Sequence, residues 1–439
     1  MTWRFRGPHA LGLAALAVLA ACATTAREPA PVRTGAPSQA PPPAAAAPAP
    51  ARPVVASPAP AAPAPVIATA PGAVRVVFAP AQADAVPGWE TLDKAPARRA
   101  FLRSCAQMQN RPDSARLGAA YAGTVGQWRS ACRRAADPTV SDHAFFAETF
   151  DAWRVTGSDG SETGRLTAYY EPTIDVSPVR TEATPEPLLA RPDDLMSIRL
   201  EEFDPALAGR TIVGRLENGA LRPYPIRSDI TRAATEALAW GDRTDVAILQ
   251  IQGSGRLRFP DGAMVRAGFA AHNGRPFRSL GGELIARGEL TRDSASMDAI
   301  KRWMKAAPPE DQIAVMNANP RYVFFQISPI TDPNLGPTGS QGLPLEPLGS
   351  AAVDPAFHAY GAPILIDAEA PVLAVTDVQR RILALVIGQD SGGAILGPMR
   401  ADYYIGSGEA AGLTAGRINH FARWHVLLPK GLDPRSPAP

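Results

Sequence analysis

The most constraining feature of this chain is a series of short apolar runs that begins at Leu166. The runs are rich in β-branched and aromatic residues, and Gly, Pro, Asn or Asp turns separate them. They do not alternate regularly with helices, so a parallel βαβ sheet is not expected. Short strands of this kind commonly close into a barrel. We expect strands at residues 166–172, 211–213, 246–251, 264–268, 322–327, 364–366, 381–387, 403–405 and 425–428.

Helical periodicity is confined to fewer segments. Between Trp89 and Phe150, apolar residues recur at helix-like intervals with polar residues between them. Of the later segments, only residues 228–240 and 294–307 show a helical pattern. The sequence therefore predicts a mainly β protein with an α-helical N-terminal part.

The N-terminus has the features of an exported lipoprotein. Arg4 and Arg6 precede an apolar run at residues 10–21, which has the length of a signal-peptide core and is too short for a membrane-spanning helix. The run ends Leu-Ala-Ala-Cys at Cys22, which resembles a bacterial lipobox whose cysteine is acylated. The alternative is an ordinary signal peptide with a chance cysteine. Because Ala23 stands where aspartate would resemble an inner-membrane retention signal, the outer membrane is favoured.

Residues 23–75 form a predicted tether. They consist mainly of Ala, Pro and other small residues, and they hold most of the excess among the chain's 46 prolines. Such a composition cannot bury enough apolar surface to offset the entropy of the chain. An extended, polyproline-like tether would reach on the order of 100 Å at about 3.1 Å per residue.

The other two cysteines, Cys105 and Cys132, lie on two of the N-terminal helical segments. In an exported protein two such cysteines are a natural pair. We therefore expect a disulfide that joins two helices, with two buried thiols as the alternative.

The composition excludes several classes of protein. Lys and Arg number 44 and Asp and Glu 42, which gives no electrostatic case for nucleic acid as a partner. His-x-x-x-His and Cys-x-x-Cys patterns are absent, and the histidines at 272, 358, 420 and 425 are scattered. We expect no metal and no cofactor.

Two aspartates flank a glycine loop in the C-terminal third. An apolar strand runs into Asp390, a Gly-Gly turn and a short apolar stretch follow, and Asp402 ends the segment. By itself, Gly-Gly after an aspartate usually marks a turn. Residues 250–255, Gln-Ile-Gln-Gly-Ser-Gly, are interpreted as a strand that ends in a turn able to face a sugar. They do not form the Gly-x-Ser-x-Gly nucleophile elbow of serine hydrolases.

Six motifs, in order, make the chain resemble the membrane-bound lytic murein transglycosylase A family over residues 88–430. They are Ala-Tyr-Tyr-Glu-Pro, Ile-Gln-Gly-Ser-Gly, His-Asn-Gly-Arg-Pro-Phe-Arg-Ser-Leu-Gly, Ser-Met-Asp-Ala-Ile-Lys-Arg-Trp, Asn-Pro-Arg-Tyr-Val-Phe-Phe and Asp-Ser-Gly-Gly-Ala-Ile-x-Gly. The resemblance implies a double-psi β-barrel domain made from residues 85–175 and a C-terminal three-aspartate part at residues 318–430. It also implies a smaller β-domain inserted at residues 176–317, with a substrate groove between the two domains.

The resemblance further implies that Asp402 is the catalytic acid/base, with Asp390 and Asp354 in supporting positions. The loop between Asp390 and Asp402 is about one residue longer than in some members of the family. A lysine is common in the family where Leu396 stands, and Arg400 is expected to supply the missing positive charge. For Asp390 the alternative is a structural role, in which it bonds the amides of its own glycine loop.

A second set of residues is expected to bind the glycan: Gln252, Ser254, Gly255, Tyr169, Tyr170, Asn273 and Arg278. Strand alternation suggests that one of the two tyrosines stacks on a sugar and the other packs in the core. A turn-forming role is equally compatible with Asn273.

The implied activity is that of a peptidoglycan lytic exotransglycosylase, a lyase acting on polysaccharides. It would cleave the β-1,4 bond between N-acetylmuramic acid and N-acetylglucosamine and leave 1,6-anhydromuramoyl ends. The alternatives are a non-catalytic peptidoglycan-binding lipoprotein and a hydrolase that uses Asp402 and Asp390 as a pair. The implied partners are glycan strands and the outer-membrane lipid, with a monomer on the periplasmic face.

Overall fold

A computed structural model describes residues 75–207, 210–292, 294–371 and 381–436. Cys22 and nearly all of the predicted tether lie outside these residues. Among the helices that these ranges contain, none has the length and apolar character needed to cross a membrane.

Within these residues the elements follow in mixed order. The helices are α1 Ala95–Gln109, α2 Val125–Ala135, α3 Asp142–Thr149, α4 Arg227–Ala233, α5 Arg243–Gln252, α6 Leu280–Ala286, α7 Met297–Ala306, α8 Pro309–Ala318 and α9 Glu409–Ala415. The first nine strands are β1 Val76–Ala81, β2 Phe150–Gly157, β3 Gly164–Glu171, β4 Thr173–Ser177, β5 Glu186–Leu188, β6 Met196–Arg199, β7 Thr211–Glu217, β8 Ala220–Pro223 and β9 Ala239–Gly241. The remaining strands are β10 Gly255–Arg258, β11 Met264–His272, β12 Val323–Pro329, β13 Ser350–Val353, β14 Pro363–Pro371, β15 Ile382–Asp390, β16 Arg400–Ser407 and β17 Asn419–Pro429.

The larger sheet has eight strands in the order β1-β2-β17-β14-β15-β13-β16-β3. The start of β17 also pairs with β3, where Asn419 lies opposite Thr167. The pairings from β17 through β14, β15, β13, β16 and β3 therefore return to β17, and the sheet curls back on itself. Two of these pairings are parallel, β13 with β15 and β16 with β3.

The N-terminal helices cover one side of the larger sheet with an aromatic cluster. Phe101 of α1 packs against Trp128 of α2, Phe145 of α3 and Phe150 of β2. All four side chains are buried in the core of the larger sheet. A disulfide between Cys105 and Cys132 joins α1 to α2.

The smaller domain contains a six-stranded sheet in the order β12-β11-β10-β4-β9-β5 and a three-stranded sheet, β6-β7-β8. Helices α5, α6, α7 and α8 contribute a separate core that includes Leu284, Met304 and Val315. Because β12 pairs with β11, the smaller sheet extends to Pro329. It therefore passes the boundary at residue 317 that the family resemblance implied.

Most of the predicted strands are confirmed. The predictions at 166–172, 211–213, 264–268, 322–327, 364–366, 381–387, 403–405 and 425–428 each overlap an observed strand. The predicted helix at 294–307 is confirmed as α7.

The predicted strand at residues 246–251 is wrong, because these residues form the body of α5. Asp242 caps this helix by accepting hydrogen bonds from the amides of Thr244 and Asp245. The helix ends at Gly253, whose φ of 80° is the left-handed conformation that glycine adopts readily at such an end. Residues Val246–Gln250 are all buried, and a run that is apolar on every side lacks the periodicity that separates helix from strand.

The predicted helix at 228–240 is only partly correct, since α4 ends at Ala233 and β9 begins at Ala239. Helices α6 and α8 were not predicted. A proline in the first turn starts α8, and a serine cap starts α6. Helix α6 has only seven residues, and the apolar residues of α8 do not lie on one face, so neither gives a strong periodic signal.

Removal of the disulfide tests how much the N-terminal helices depend on it. It closes a loop with a sequence separation of 27 residues. We expect the double variant Cys105→Ser/Cys132→Ser to lower the free energy of unfolding by about 3 kcal/mol. Urea unfolding of the chain from residue 75 measures this difference, and reduced wild-type protein serves as the control. Equal stability of oxidised wild type and double variant would contradict the prediction.

Candidate active site

The larger sheet brings Asp390 and Asp402 to opposite sides of one strand. Ala352 of β13 lies opposite Asp390 of β15 in a parallel pairing and opposite Asp402 of β16 in an antiparallel pairing. Neighbouring strands are about 4.8 Å apart, so the two backbones are roughly 10 Å apart. On its other side β16 pairs with β3, which places Thr167 opposite Asp402.

Thr167 connects Asp402 to a cation. Its hydroxyl donates a hydrogen bond to Asp402 Oδ1 at 2.5 Å. The same hydroxyl accepts one from Arg400 Nη2 at 2.8 Å. Arg400 therefore reaches the carboxylate through a hydroxyl group rather than by a direct ion pair. Thr167 was not among the predicted site residues.

The pKa of Asp402 is raised above its ordinary value. Burial is the main cause, and the negative charge of Asp390 adds to it. The cation of Arg400 and the hydrogen bond from Thr167 act in the opposite direction without cancelling the effect of burial. Burial also lowers the pKa of Arg400. Leu396 is largely exposed, and the positive charge beside Asp402 belongs to Arg400.

Asp390 is held by three hydrogen bonds. Its Oδ2 accepts from the Tyr169 hydroxyl at 2.8 Å, and its Oδ1 accepts from the amide and the hydroxyl of Ser340, both at 2.9 Å. The structural alternative placed these bonds on the amides of its own glycine loop. The backbone amide that donates instead belongs to Ser340, in the segment between β12 and β13, because β15 ends beside that segment.

Asp354 fixes the far end of the loop between Asp390 and Asp402. Its Oδ2 accepts a hydrogen bond from the amide of Gly397 at 2.7 Å, and its Oδ1 accepts from the amide of Ala356 at 3.0 Å. Asp354 thus lies near the two other aspartates in the fold and acts on the backbone of the loop.

Tyr169 and Tyr170 are both buried. Tyr169 packs against Tyr404 with ring centroids 5.2 Å apart, in addition to its bond to Asp390. The Tyr170 hydroxyl accepts a hydrogen bond from Lys301 Nζ at 3.0 Å, and Lys301 lies over its ring. Alternation on β3 therefore does not leave one of these rings exposed for a sugar.

The motif at residues 250–255 lies at the junction of the two sheets. Gln252 Oε1 accepts a hydrogen bond from the amide of Tyr170 at 3.1 Å. Ser254 and Gly255 are buried. A Cβ on Gly255 would lie 2.9 Å from the carbonyl oxygen of Pro172, so only glycine fits this approach between β10 and β4.

The contacts of Asn273 fit the turn-forming alternative, because its side chain bonds the backbone of neighbouring segments. It is buried, and its Nδ2 donates to the carbonyl oxygens of Pro225 at 2.8 Å and Pro320 at 2.9 Å. Its Oδ1 accepts from the amide of Tyr322 at 3.0 Å. Arg278 is exposed, and its amide donates to Asn319.

Sequence reasoning also missed a buried ionic cluster around Glu171. Its carboxylate pairs with Arg256 at 2.9 Å and Arg266 at 2.5 Å, and it accepts a hydrogen bond from Ser407 at 2.6 Å. Glu171 and Ser407 belong to the larger sheet, whereas Arg256 and Arg266 belong to the smaller one. The motif Tyr-Tyr-Glu-Pro contained this signal, because a glutamate that ends a buried strand needs cationic partners.

No group of three or more His, Cys, Asp or Glu side chains within the described ranges has an arrangement that could hold a metal ion. The carboxylates of Asp402, Asp390 and Asp354 instead accept hydrogen bonds from hydroxyl groups and backbone amides.

Two family models match the chain. One, described as the MltA specific insert domain, matches residues 165–326, and the other, the 3D domain, matches residues 349–428. The chain is 30% identical over 290 residues to membrane-bound lytic murein transglycosylase A of Escherichia coli strain K12, which covers 63% of this chain and 69% of the relative.

Solved structures give the same result. A membrane-bound lytic murein transglycosylase from Agrobacterium tumefaciens matches with a TM-score of 0.68 and 29% identity, over 80% of this chain and 98% of that one. MltA of E. coli with bound chitohexaose matches with a TM-score of 0.58 and 25% identity, over 82% of this chain and 95% of that one.

Replacement of Thr167 by valine removes the hydroxyl group and nearly preserves the size of the side chain. Because the hydrogen bond from Thr167 lowers the pKa of Asp402, its loss should raise that pKa further. Asp402 would then stay protonated to higher pH. Carbon-13 NMR titration of the aspartate carboxyl groups measures this change. Thr167→Ser keeps the hydroxyl and should titrate like the wild type, and a lower Asp402 pKa in Thr167→Val would refute the assigned contact.

Proposed function

The chain belongs to the membrane-bound lytic murein transglycosylase A family, and on that basis we propose that it is a lytic transglycosylase of peptidoglycan. The observation that carries this proposal is the environment of Asp402. This aspartate has a raised pKa and lies beside a hydroxyl donor and an indirectly connected cation. A carboxyl group whose pKa is raised holds its proton to higher pH, so it is better suited to act as a general acid.

The proposed reaction uses Asp402 twice. Protonated Asp402 donates its proton to the glycosidic oxygen between N-acetylmuramic acid and N-acetylglucosamine, and the bond from this oxygen to the muramoyl C1 breaks. The positive charge that develops at C1 is relieved by the acetamido group of the substrate. Ionised Asp402 then takes the proton of the muramoyl C6 hydroxyl, whose oxygen bonds to C1. The products are a free N-acetylglucosamine end and a 1,6-anhydromuramoyl end, and no water is consumed.

The pH dependence of the first step follows from the same assignment. Proton donation requires the acid form of Asp402, so the rate should fall as pH rises through the raised pKa.

The contacts of Asp390 favour one catalytic carboxylate over two. Three donors occupy its oxygens, and it lies about two strand spacings from Asp402. In a hydrolase that uses a carboxylate pair, the second carboxylate must be available to water or to the sugar. We therefore assign Asp390 and Asp354 to positioning the loop between β15 and β16.

We infer that the glycan strand lies between the larger sheet and the smaller domain. The buried cluster around Glu171 fixes these two parts to each other next to β3, which carries Thr167. Gln252, Ser254 and Gly255 lie at this junction and are proposed to contact sugar hydroxyl and acetamido groups. Arg278, being exposed, is proposed as a further contact.

The curled pairing of the larger sheet supports a double-psi β-barrel, built from residues on either side of the smaller domain. We propose that the inserted domain runs from β4 to β12, which is longer at its C-terminal end than the sequence implied. An acylated Cys22 is proposed to anchor the protein in the outer membrane, with the barrel on the periplasmic side.

Product analysis tests the reaction. The chain from residue 75 is incubated with purified peptidoglycan, and the soluble products are examined by mass spectrometry. We expect anhydro-muropeptides, one water lighter than hydrolytic products, from the wild type. Asp402→Asn should reduce their rate of formation at least about 100-fold, because it cannot donate or accept the proton.

A matched control is Asp390→Asn, whose carboxamide oxygen can still accept from Ser340 and whose NH2 group can instead donate to the Tyr169 hydroxyl. It should keep far more activity than Asp402→Asn. Reducing-end products would assign a hydrolase, and binding of glycan without products would assign a binding protein. Either result would overturn the proposed reaction.

Anchoring is tested separately with the full-length chain. We expect wild-type protein in the membrane fraction and Cys22→Ser protein in the soluble fraction, because acyl chains on the cysteine supply the membrane affinity. Fractionation followed by mass spectrometry of the N-terminal peptide measures both location and acylation. An unmodified Cys22 in a membrane-associated wild type would contradict the lipoprotein assignment.

A further inference from the structure

A small cavity with a mainly apolar lining lies inside the smaller domain, between α5, α8 and β12. Its volume of about 20 Å³ is enough for a water molecule or a small polar group. Its lining combines apolar side chains with two arginines and two amides: Arg227, Ala247, Gln250, Ile251, Phe277, Leu280, Met316, Asn319, Arg321 and Val323.

Arg227 is the buried cation of this cavity, with 4% of its surface exposed. Its Nε donates to the carbonyl oxygen of Asn319 at 3.2 Å, and its Nη2 donates to Gln250 and to the carbonyl oxygen of Arg321. Its Nη1 is buried and has no acceptor among the described residues. A buried guanidinium nitrogen without an acceptor is costly, so this nitrogen is suited to an anionic ligand.

Arg321 supplies the second cation. Its Nε donates to the carbonyl oxygen of Arg275 at 2.7 Å, and its two terminal nitrogens have no acceptor in the described part of the chain. Burial lowers its pKa. The lining contains no carboxylate. The charge of Glu186 acts on Arg227, but Glu186 does not line the cavity. Burial raises the pKa of Glu186.

Arg321 also connects the cavity to the loop that follows Asp390. Its Nη1 lies 2.6 Å from the position that a Cβ on Gly393 would occupy, so it contacts the backbone there. Gly393 is exposed. The cavity thus borders the loop between the two aspartates of the proposed active site.

We propose that this cavity, here called the arginine pocket, binds a carboxylate of the peptidoglycan substrate. The inference rests on the proposed function, because it takes the occupant from peptidoglycan. Two guanidinium groups, each with a terminal nitrogen that lacks an acceptor among the described residues, match a carboxylate, and the volume of the cavity limits the occupant to one such small group. Two sources carry such a group: the peptide stem, and the lactyl group of a muramic acid that has lost its stem.

Isothermal titration calorimetry of a small ligand with the folded chain tests the proposal directly, because binding is measured without any enzymatic turnover. The probe is N-acetyl-D-alanine, and N-acetyl-D-alaninamide is its neutral control. We expect the acid to bind at least about 30-fold more tightly than the amide, which is the lower end of the effect of removing one partner of a buried charge pair. Arg321→Gln should abolish this preference.

Two further variants distinguish binding inside the arginine pocket from a general effect of positive charge on the protein surface. Ala247→Val adds two carbon atoms to the lining without altering a cation, and it should also abolish the preference. Arg302→Gln removes an exposed arginine on α7 that does not line the pocket, and it should bind like the wild type. Equal binding of acid and amide, or an acid preference that survives Arg321→Gln, would overturn the proposal.

Turnover then identifies the source of the carboxylate. A loss of kcat/KM in Arg321→Gln on stem-bearing strands alone assigns the stem peptide, and a loss on amidase-treated strands alone assigns the lactyl group. An equal loss on both, without an acid preference in calorimetry, would mean that the pocket recognises no carboxylate. Absence of turnover in the wild type would refute the proposed function and leave the calorimetric result to stand by itself.

Discussion

The buried carboxylate of Glu171 is the interaction on which the arrangement of this protein depends. It is fully buried at the end of β3, and arginines from two strands of the smaller sheet hold it. To remove one partner would leave an uncompensated charge in the interior, which is strongly destabilising. Ser407 adds a hydrogen bond from β16, so strands of both sheets meet at one carboxylate. The smaller domain is thus fixed to β3, the strand that also contacts both aspartates of the proposed active site.

Every second side chain of β3 points to the same face of the strand, and three of these side chains make the key contacts. Residues 167, 169 and 171 are two apart and so point to the same side of β3. Thr167 bonds Asp402, Tyr169 bonds Asp390, and Glu171 bonds the smaller domain. Three side chains on one face of β3 therefore hold the proposed acid/base, the aspartate that supports its loop and the second domain. A change in the register of β3 against β16 would displace all three at once.

The sequence allowed part of this to be predicted. Asp390 and Asp402 stand out because a glycine loop between two apolar strands holds a carboxylate at each end. Thr167 could not be identified in this way, since it lies 235 residues from Asp402 and meets it only through the parallel pairing of β3 with β16. The pattern of short apolar runs predicted strands correctly at most positions. It failed at residues 246–251, because five of these six residues are buried and only Gln250 is polar, so the segment has no period that separates helix from strand.

The proposed reaction makes two demands on the carboxyl group of Asp402, and its indirect contact with Arg400 is compatible with both. A direct ion pair with arginine would lower the pKa of an aspartate and favour its charged form, which cannot donate a proton. Burial without any cation would leave the charged form poorly stabilised after donation, when the same group must act as a base. With the hydroxyl of Thr167 between them, the cation acts at a longer distance, and the effect of burial remains dominant. The pKa of Asp402 therefore stays raised, which favours the acid form. When the group is charged, the hydroxyl of Thr167 still donates a hydrogen bond to it.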